Sequence, residues 1–331
     1  NCIKPLGEAR FEPYVLGEWY KQEGVPFWKR ADGGDPWDMH DYLFSQYTEC
    51  LGMTWDEFRD AFEENGWLDT RAQNKNGMGS YLRYETGWMC QPFMGRPGFN
   101  TPTTRHEIWS TTFESAMSKR IETNTGDPYG TKYALPFYAE PKSSPINESY
   151  RKLNDRENYN PDDYPYILST GRRIPVYFHS EHRQLPWCRE VWPVPRLEVN
   201  PKDATDLGLE QGDWAWIETP FGKIRQCVEI SLAVAPGRMN AEHSWWFPEF
   251  THRPGKGFDL VGCNCLVDPY SQCEAYGAPN LRGYMVNVYK ATPENSPYGN
   301  PCPCDDDGTP CIESANDPRL KEWAPTYEGR E

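Results

Sequence analysis

The hydrophobic pattern of the first third of the chain is helical. Apolar side chains recur every three or four positions between residues 38 and 51, which predicts one amphipathic helix. A second helix is predicted to start after Thr54, because Thr54 and Glu57 have the spacing of a capping box. Gly66 stands where a left-handed residue would end that helix. We therefore expect this region to consist of helices rather than strands.

Residues 67–104 interrupt the helical pattern. They are rich in glycine, asparagine and proline but also carry aromatic side chains, which predicts an ordered, irregular connection. A short strand is predicted at 105–109 and a helix at 111–121. The proline-rich and polar run that follows, at about 142–163, is typical of a domain boundary.

Beyond residue 163 the periodicity changes to two-residue alternation, which predicts β-strands. Pro220, Phe221 and Gly222 separate two of these strands as a hairpin turn. Asn200 is a preferred N-cap of a helix that would end at Gly208. The predicted strands are 164–169, 176–179, 196–200, 213–219 and 223–230.

These patterns divide the chain into three parts. Residues 1–150 are predicted to be helical with long irregular loops, and residues 151–295 to be mostly β with short helices. Residues 296–331 are rich in proline and cysteine and are predicted to form a surface extension. The expected fold class is therefore α+β, mostly β.

Composition and charge exclude several classes of partner. The net charge of −15, from 34 basic and 49 acidic residues, argues against nucleic acid and against anionic membranes, because both require a basic face. No run of 18 apolar residues occurs, so no membrane span is predicted, and no signal-peptide pattern is found. The 11 cysteines, an odd number and few for the length, favour a reducing compartment. The sequence leaves open whether the protein is cytoplasmic or exported in folded form.

Basic residues nevertheless cluster in one stretch. Thr170, Gly171, Arg172 and Arg173 follow a predicted strand, and residues 179–183 add two imidazoles, a hydroxyl and a third arginine. Glycine lets the backbone approach a ligand and arginine forks match phosphate oxygens, so the pattern predicts an anion-binding edge. The alternative is that the three arginines form ordinary surface ion pairs worth about 0–1 kcal/mol each.

A longer set of motifs favours the anion site. In chain order, the motifs are Leu168 to Arg172, Phe178 to Ser180, Leu185-Pro186 with Arg189-Glu190, Pro195 to Ala204, Leu207 to Asp213, Gly222, Ala235 to Gly237 and Glu242 to Trp246. Together they resemble the molybdopterin dinucleotide-binding domain of the dimethyl sulfoxide reductase family. The resemblance covers residues 164–290, and a similar segment at 98–108 extends it upstream.

The resemblance implies a double-psi β-barrel, preceded by an incomplete helical α/β region left from the upstream domains of the same enzyme. Loops of such a barrel present donors to two pterin dinucleotides. Carried over by position, the cofactor-binding residues are Thr170, Gly171, Arg172, Arg173, His179, Ser180, His182, His243, Trp246 and Asn264. His243 and Trp246 could instead form a packed aromatic turn, and Arg282 matches a family position without an assigned role.

The implied cofactor is bis-molybdopterin guanine dinucleotide with molybdenum or tungsten. The family's metal ligand and amino-terminal iron–sulfur cysteines are not found here, so we expect the carboxy-terminal portion of an oxidoreductase, inactive alone. Its expected partners are the remainder of the same polypeptide and an iron–sulfur electron-transfer subunit. The motifs look closest to the thiosulfate or polysulfide reductase, acetylene hydratase and catechol dehydroxylase-like branches of bacterial enzymes. The alternative is a non-catalytic double-psi barrel that has lost the dinucleotide.

Two other chemistries are disfavoured. Ser180 lacks the G-x-S-x-G elbow of a hydrolase nucleophile. Two cysteine clusters lack the paired C-x-x-C spacing typical of zinc and iron–sulfur sites. They are Cys263, Cys265 and Cys273, and Cys302, Cys304 and Cys311. No catalytic residue and no metal ligand is therefore predicted in this chain.

Overall fold

The computed structural model of the protein describes residues 12–24, 53–66, 101, 103–110, 134–136, 138, 161–172, 174–269 and 278–323. The chain divides into two compact units, Asn1–Pro136 and Phe137–Glu331. Within the described ranges, no helix combines the length and the apolar character needed to cross a bilayer.

The first unit contains two described helices, α1 (Glu12–Gln22) and α2 (Trp55–Asn65). The predicted capping box starts α2, since the Glu57 amide donates to Thr54 Oγ1 at 3.2 Å and the Thr54 amide donates to Glu57 Oε2 at 2.8 Å. Gly66 ends α2 in the left-handed conformation, with φ 70°. Both cap predictions are confirmed. No residue of α2 is buried, and α1 exposes large apolar side chains.

The strand predicted at 105–109 is wrong. These residues form turns and bends. Local side-chain hydrogen bonds hold the segment: Thr101 Oγ1 donates to the Arg105 carbonyl at 2.7 Å, and Thr103 Oγ1 donates to Glu107 Oε1 at 2.8 Å. Such bonds offer the backbone an alternative to pairing with a strand. The helices predicted at 38–51 and 111–121 lie outside the described residues.

Six strands of the second unit close into a barrel, in the order β1–β5–β2–β4–β3–β6. Strand β1 pairs with β5 in parallel, as β2 does with β4, and the other four pairings are antiparallel. The strands are β1 (Tyr166–Arg172), β2 (Arg196–Val199), β3 (Trp214–Thr219), β4 (Gly222–Ile230), β5 (Arg238–Glu242) and β6 (Arg282–Lys290). The closed barrel expected from the resemblance is confirmed.

The pleat of the strands sorts their side chains into an interior and an exterior. Leu168, Leu197, Ile217 and Val288 come from four different strands and are buried together in the barrel core. Burial of each such side chain contributes about 1.5–3 kcal/mol, which favours the closed barrel. The residues between them point outward, where some, such as Trp216 and Arg225, are covered by other segments and others, such as Arg238, are exposed.

Short helices and turns precede, connect and follow the strands. They are α3 (Pro186–Val191), α4 (Pro201–Leu207), α5 (Phe258–Val261) and α6 (Arg319–Trp323), with 3-10 turns at Pro161–Asp163, Pro254–Gly257 and Cys263–Leu266. The predicted caps of α4 are confirmed: Asn200 Oδ1 accepts the Lys202 amide at 3.0 Å, and Gly208 ends the helix with φ 65°.

Four of the five strands predicted after residue 163 are present, and the β3–β4 hairpin is confirmed. The strand predicted at 176–179 is wrong, because that segment forms turns and His179 has φ 48°, which an extended strand does not allow. The sequence pattern did not indicate β5 or β6, although both complete the barrel.

The prediction of a surface extension beyond residue 296 is also wrong. Arg225 is fully buried and donates to the carbonyls of Gly299 and Pro301 at 3.0 and 2.9 Å. Ile312 and Leu320 are buried as well. A buried guanidinium requires acceptors. Here the backbone of this segment supplies them, so the segment packs onto the barrel.

Candidate functional site

Three strands place a row of polar side chains on the outside of the barrel. Ser169 on β1 lies between its register partners Asn240 on β5 and Arg282 on β6. Arg238 shares the outer face with Asn240, two positions away, because alternate strand residues point to one side. These residues and Gly171 line a cavity of about 360 Å³, here called the row cleft. It offers two guanidinium groups and a hydroxyl to a ligand, together with the side-chain oxygen of Asn240, whose amide nitrogen donates to Glu198 Oε2 at 2.8 Å.

Gly171 and Thr170 have different roles at this cleft. A Cβ at Gly171 would lie 4.0 Å from Arg282 Nη2, so Gly171 lies directly beside the guanidinium and adds no side chain to the cleft. Thr170 instead donates its hydroxyl to the Leu281 carbonyl at 2.8 Å. This hydrogen bond joins the end of β1 to the residue before β6 and so fixes the positions of the neighbouring Ser169 and Arg282. Thr170 thus positions the cleft and does not line it.

Arg172 is the last residue of β1 and pairs with Glu242 of β5. This register brings the end of β1 beside the segment that follows β5. The Arg172 side chain and the whole of Arg173 lie outside the described residues. Their predicted contact with a dinucleotide remains a prediction.

A second cavity, of about 510 Å³, lies between the loops that follow β1 and β5 and the turns near α5, and is here called the tryptophan cleft. Three predicted residues, Ser180, Trp246 and Asn264, line it together with Ser244 and Phe258. The Trp246 indole N–H donates to the Ser180 carbonyl at 2.7 Å, which joins the two loops. The aromatic walls and the hydroxyl and amide groups suit a flat, polar-edged ring.

The predicted histidines stand beside this cleft. The rings of His179 and His243 meet edge to face, with centroids 5.4 Å apart. Both border a small cavity that also contacts Tyr177 and Glu242. His182 is partly exposed, with Nε2 3.8 Å from Glu181 Oε2, and it lines neither cleft.

Backbone strain concentrates at the tryptophan cleft. Ser244 lines the cleft with φ 60°, and His179 and His182, at φ 48° and 72°, flank Ser180. Lys256, at φ 50°, follows a glycine of the lining. Non-glycine residues in this conformation cost about 1–3 kcal/mol each and gather at functional sites. Surrounding contacts must therefore hold these loops in place.

The buried side chain of Arg183 makes contacts that hold these loops in place. It is 2% exposed, and its guanidinium donates to the carbonyls of Glu181 and His179, both at 2.7 Å, and to that of Ser244 at 3.4 Å. It also lies over the Tyr177 ring, 3.9 Å from the centroid. Burial lowers the pKa of Arg183 to about 10, so the group is still charged at neutral pH. The idea that Arg183 forms a surface ion pair is therefore wrong.

Glu242 organises the opposite side of the same loops. It is 1% exposed, and its two carboxylate oxygens accept the indole N–H groups of Trp192 and Trp245, both at 2.6 Å. Gln226 donates to the Glu242 carbonyl at 2.8 Å. Two donors on different segments fix the orientation of the Glu242 carboxylate. Glu242 is the last residue of β5, so these bonds also fix the direction in which the turn starting at His243 leaves the strand.

The two cysteine clusters behave differently. The Cys263 thiol is buried and donates to the Glu242 carbonyl at 2.9 Å. Burial, followed by the charge of Glu242, raises the pKa of Cys263 to about 12, which keeps it a thiol. Cys273 lies outside the described residues. In the other cluster the sulfur atoms of Cys302 and Cys311 lie 2.7 Å apart.

Comparison with known proteins gives consistent matches. Residues 166–281 match the family model described as "Molydopterin dinucleotide binding domain". Dopamine dehydroxylase of Eggerthella lenta is 45% identical over 377 residues, which cover 100% of this chain and 35% of that protein. Acetylene hydratase of Syntrophotalea acetylenica is 25% identical over 298 residues, or 88% of this chain and 34% of the relative. The solved structure of acetylene hydratase from Pelobacter acetylenicus matches with a TM-score of 0.57 and 26% identity, over 87% of this chain and 34% of that one.

The family match falls on the barrel. Residues 166–281 are a molydopterin dinucleotide-binding domain of the dimethyl sulfoxide reductase family. The matched range starts with β1 and contains five of the six strands and both clefts, apart from Arg282. The chain spans about a third of the length of the curated relatives it matches.

The donor set of the dinucleotide-binding domain fits a molybdopterin-type cofactor. Arg238 and Arg282 match the charge and fork geometry of phosphate, and Ser169 and Asn240 beside them can bond a ribose or a base. The absence of a side chain at Gly171 leaves this face accessible. The row cleft therefore has the chemistry of a nucleotide site.

Sequence reasoning did not predict that Ser169, Arg238 and Asn240 line the row cleft. The pattern did not reveal β5, so nothing placed Arg238 and Asn240 beside β1. Ser169 belongs to the Leu168–Arg172 motif and ends a predicted strand, but the sequence analysis assigned it no contact with a ligand. The one available signal was the position of Ser169 two residues before Gly171, because strand residues two apart share a face.

Proposed function

We propose that the row cleft and the tryptophan cleft hold the nucleotide portions of a bis-molybdopterin guanine dinucleotide cofactor. The observation that carries this proposal is the row of Arg282, Ser169 and Asn240 with Arg238 in the same cavity. A chain of net charge −15 repels anions in general, so it needs such a local set of donors to bind a pyrophosphate.

Individual residues have proposed roles. Arg282 and Arg238 pair with phosphate oxygens, and Ser169 and Asn240 bond the nucleoside. In the tryptophan cleft, the Asn264 amide and the half-buried Trp246 ring contact the second dinucleotide.

The remaining predicted residues support these contacts. Thr170 and Gly171 keep the edge of the row cleft in place and open. Arg172 and Arg173 are proposed to add phosphate contacts at the end of β1. His179 and His182 are proposed to shape the loop that carries Ser180, and His243 packs on His179.

When bound, the cofactor supplies a molybdenum or tungsten centre for two-electron or oxygen-atom transfer. The residues of this chain bind and orient the nucleotide ends and place positive charge beside them. We propose that the metal's protein ligand lies in an upstream part of the same polypeptide and that this chain alone is inactive. An iron–sulfur subunit is proposed as the electron-transfer partner.

The branch of the family is a further part of the proposal. The sequence left open three branches, and the dopamine dehydroxylase of Eggerthella lenta is 45% identical over all of this chain. This identity favours the catechol dehydroxylase-like branch over the acetylene hydratase branch, where identity is 25%. The proposed substrate class is therefore an aromatic compound with adjacent hydroxyl groups.

The test is the cofactor content of the full-length protein purified without oxygen. Arg282→Ala removes a charge-assisted contact worth about 2 kcal/mol, which corresponds to a roughly 30-fold loss of affinity. We expect less metal by mass spectrometry and less GMP after acid hydrolysis, with GMP twice as abundant as metal in the wild type. Lys202→Ala also removes one positive charge but lies outside both clefts, so its content should match the wild type.

Two results would oppose the proposal. Unchanged GMP and metal in both Arg282→Ala and Arg238→Ala would remove the row cleft from the site. A folded wild-type protein with neither GMP nor metal would favour the alternative, a non-catalytic barrel that has lost the dinucleotide.

A further inference from the structure

A hairpin at residues 302–311 lies against the barrel, away from the residues that line the two clefts. Its limbs are joined by a bridge between Cys304 and Pro310, and the Cys311 amide donates to the Pro303 carbonyl at 3.3 Å. The turn is held by Asp305, whose Oδ1 accepts the amides of Asp307 and Thr309 at 3.1 and 2.7 Å. The backbone therefore fixes the distance between the two limbs.

The two ends of this hairpin bring cysteine side chains together. The sulfur atoms of Cys302 and Cys311 are 2.7 Å apart, with Cys311 buried and Cys302 partly exposed. Cys304, on the same hairpin, has no sulfur contact of this kind among the described residues. We propose that Cys302 and Cys311 form a disulfide bond that closes the hairpin.

The geometry favours a disulfide over a metal site. Within the described residues, Cys302, Cys311 and Glu313 are the one group of potential ligands that come within 4.8 Å of one another. Two thiolates on one tetrahedral zinc ion would lie about 3.8 Å apart, given a Zn–S bond of about 2.3 Å. The observed 2.7 Å is shorter than that and requires a closure of only about 0.7 Å to reach a disulfide bond of about 2.05 Å. The set also supplies three ligands, whereas structural zinc binds four.

The bond forms by thiol–disulfide exchange with a small-molecule disulfide. The thiolate of the more accessible Cys302 attacks that disulfide, forms a mixed disulfide and releases one small thiolate. The thiolate of Cys311 then attacks the Cys302 sulfur and releases the second. The two cysteines lose two electrons and two protons, and the small disulfide is reduced to two thiols.

The environment indicates a structural bond rather than a catalytic dithiol. The neighbouring Cys311 thiol and then burial raise the pKa of Cys302. A thiol with a raised pKa is a poor leaving group, so the closed bond resists reduction. Formation should accordingly be slow at neutral pH and faster in mild alkali.

The disulfide would hold a segment that supports the cofactor loops. Immediately after Cys311, the Ile312 amide donates to Glu249 Oε1 at 2.6 Å, and Glu249 pairs with the buried Arg189 at 3.0 Å. Arg189 also donates to the Arg183 carbonyl at 3.2 Å. A continuous set of buried hydrogen bonds thus joins the hairpin to the arginine that positions His179 and Ser244.

Peptide mapping of the full chain tests the proposal without any variant. The protein is incubated with oxidised glutathione at mildly alkaline pH, quenched in acid, alkylated after unfolding and digested. We expect a linked peptide that joins Cys302 to Cys311 and is lighter than the reduced pair by two hydrogens. Cys304→Ser should keep this link, whereas Cys302→Ser and Cys311→Ser should lose it. The linked form should melt roughly 5–10 °C above the reduced form.

Three results would overturn the proposal. Complete alkylation of both cysteines after oxidation would show that no bond forms. A link from Cys304 to Cys311 would show the wrong pairing. One equivalent of zinc in the untreated protein, lost in Cys302→Ser and accompanied by no linked peptide, would identify a metal site instead.

Discussion

Replacing Arg183 by methionine should disturb the tryptophan cleft although Arg183 is not one of the residues that line it. The guanidinium gives two bonds of 2.7 Å to carbonyls on the loop that carries Ser180, and a longer one to the Ser244 carbonyl on the facing loop. Methionine fills similar space but donates nothing. The strained backbone at His179 and Ser244 then loses the contacts that hold it.

The expected loss of stability follows from three effects. Two short hydrogen bonds from a charged group contribute about 4 kcal/mol, and the contact with the Tyr177 ring about 1 kcal/mol. Burial of the charge, which lowers the pKa of Arg183 to about 10, costs about 3 kcal/mol and is relieved by the substitution. The net destabilisation is about 2 kcal/mol, or a fall of roughly 4–8 °C in Tm.

Thermal unfolding and cofactor content should be measured together for Arg183→Met. A matched control is Leu197→Ala, which removes a fully buried side chain from the barrel core and costs about 3 kcal/mol. We expect the control to lower Tm but to keep its GMP and metal per folded molecule, and Arg183→Met to lose both. Equal cofactor content in the two variants would refute the idea that Arg183 organises the cleft.

Two further outcomes follow from local geometry. Gly222→Ala would place a Cβ in steric overlap with the Cys265 carbonyl oxygen and should destabilise the protein by about 1–3 kcal/mol in a urea titration. Gly171→Ala, whose Cβ would lie 4.0 Å from Arg282 Nη2, should fold normally and retain less GMP. Equal urea midpoints for both variants would contradict this contrast. Hydrogen bonding to Arg319 lowers the pKa of Asp317, so its contribution to stability is present above its usual pKa and is lost as the pH falls through the lowered one. Asp317→Asn should therefore weaken the dependence of the unfolding free energy on pH in the acid range. An unchanged dependence would show that the Asp317–Arg319 pair does not contribute to stability.

Interactions between residues close in sequence allowed several elements of this structure to be predicted. The capping box at Thr54 and Glu57 and the cap at Asn200 are formed by residues within a few positions of each other, so their chemistry is readable without a fold. The β3–β4 hairpin is equally local. The ordered motifs from Leu168 to Trp246 also sufficed to indicate the family and the type of cofactor.

Elements that depend on contacts between residues distant in sequence could not be predicted in this way. Segment 176–179 has the composition of a strand, but the buried guanidinium of Arg183 holds it as turns through the His179 carbonyl. Likewise, the tail after residue 296 reads as polar and irregular, yet its carbonyls satisfy the buried Arg225. In both cases a buried guanidinium requires hydrogen-bond acceptors, and this requirement outweighs the local conformational preference of the segment that supplies them.

By itself, the sequence determined the local caps and the hairpin, and its motifs indicated the family and a molybdopterin-type cofactor. Only the tertiary structure decided which side chains lie together in the row cleft. Ser169, Asn240 and Arg282 are neighbours solely because β1 lies between β5 and β6, and those pairings join residues about 70 to 110 positions apart. The closing of the barrel brings these three side chains together. Their apolar neighbours along each strand point into the water-excluding interior, which leaves Ser169, Asn240 and Arg282 on the outer face.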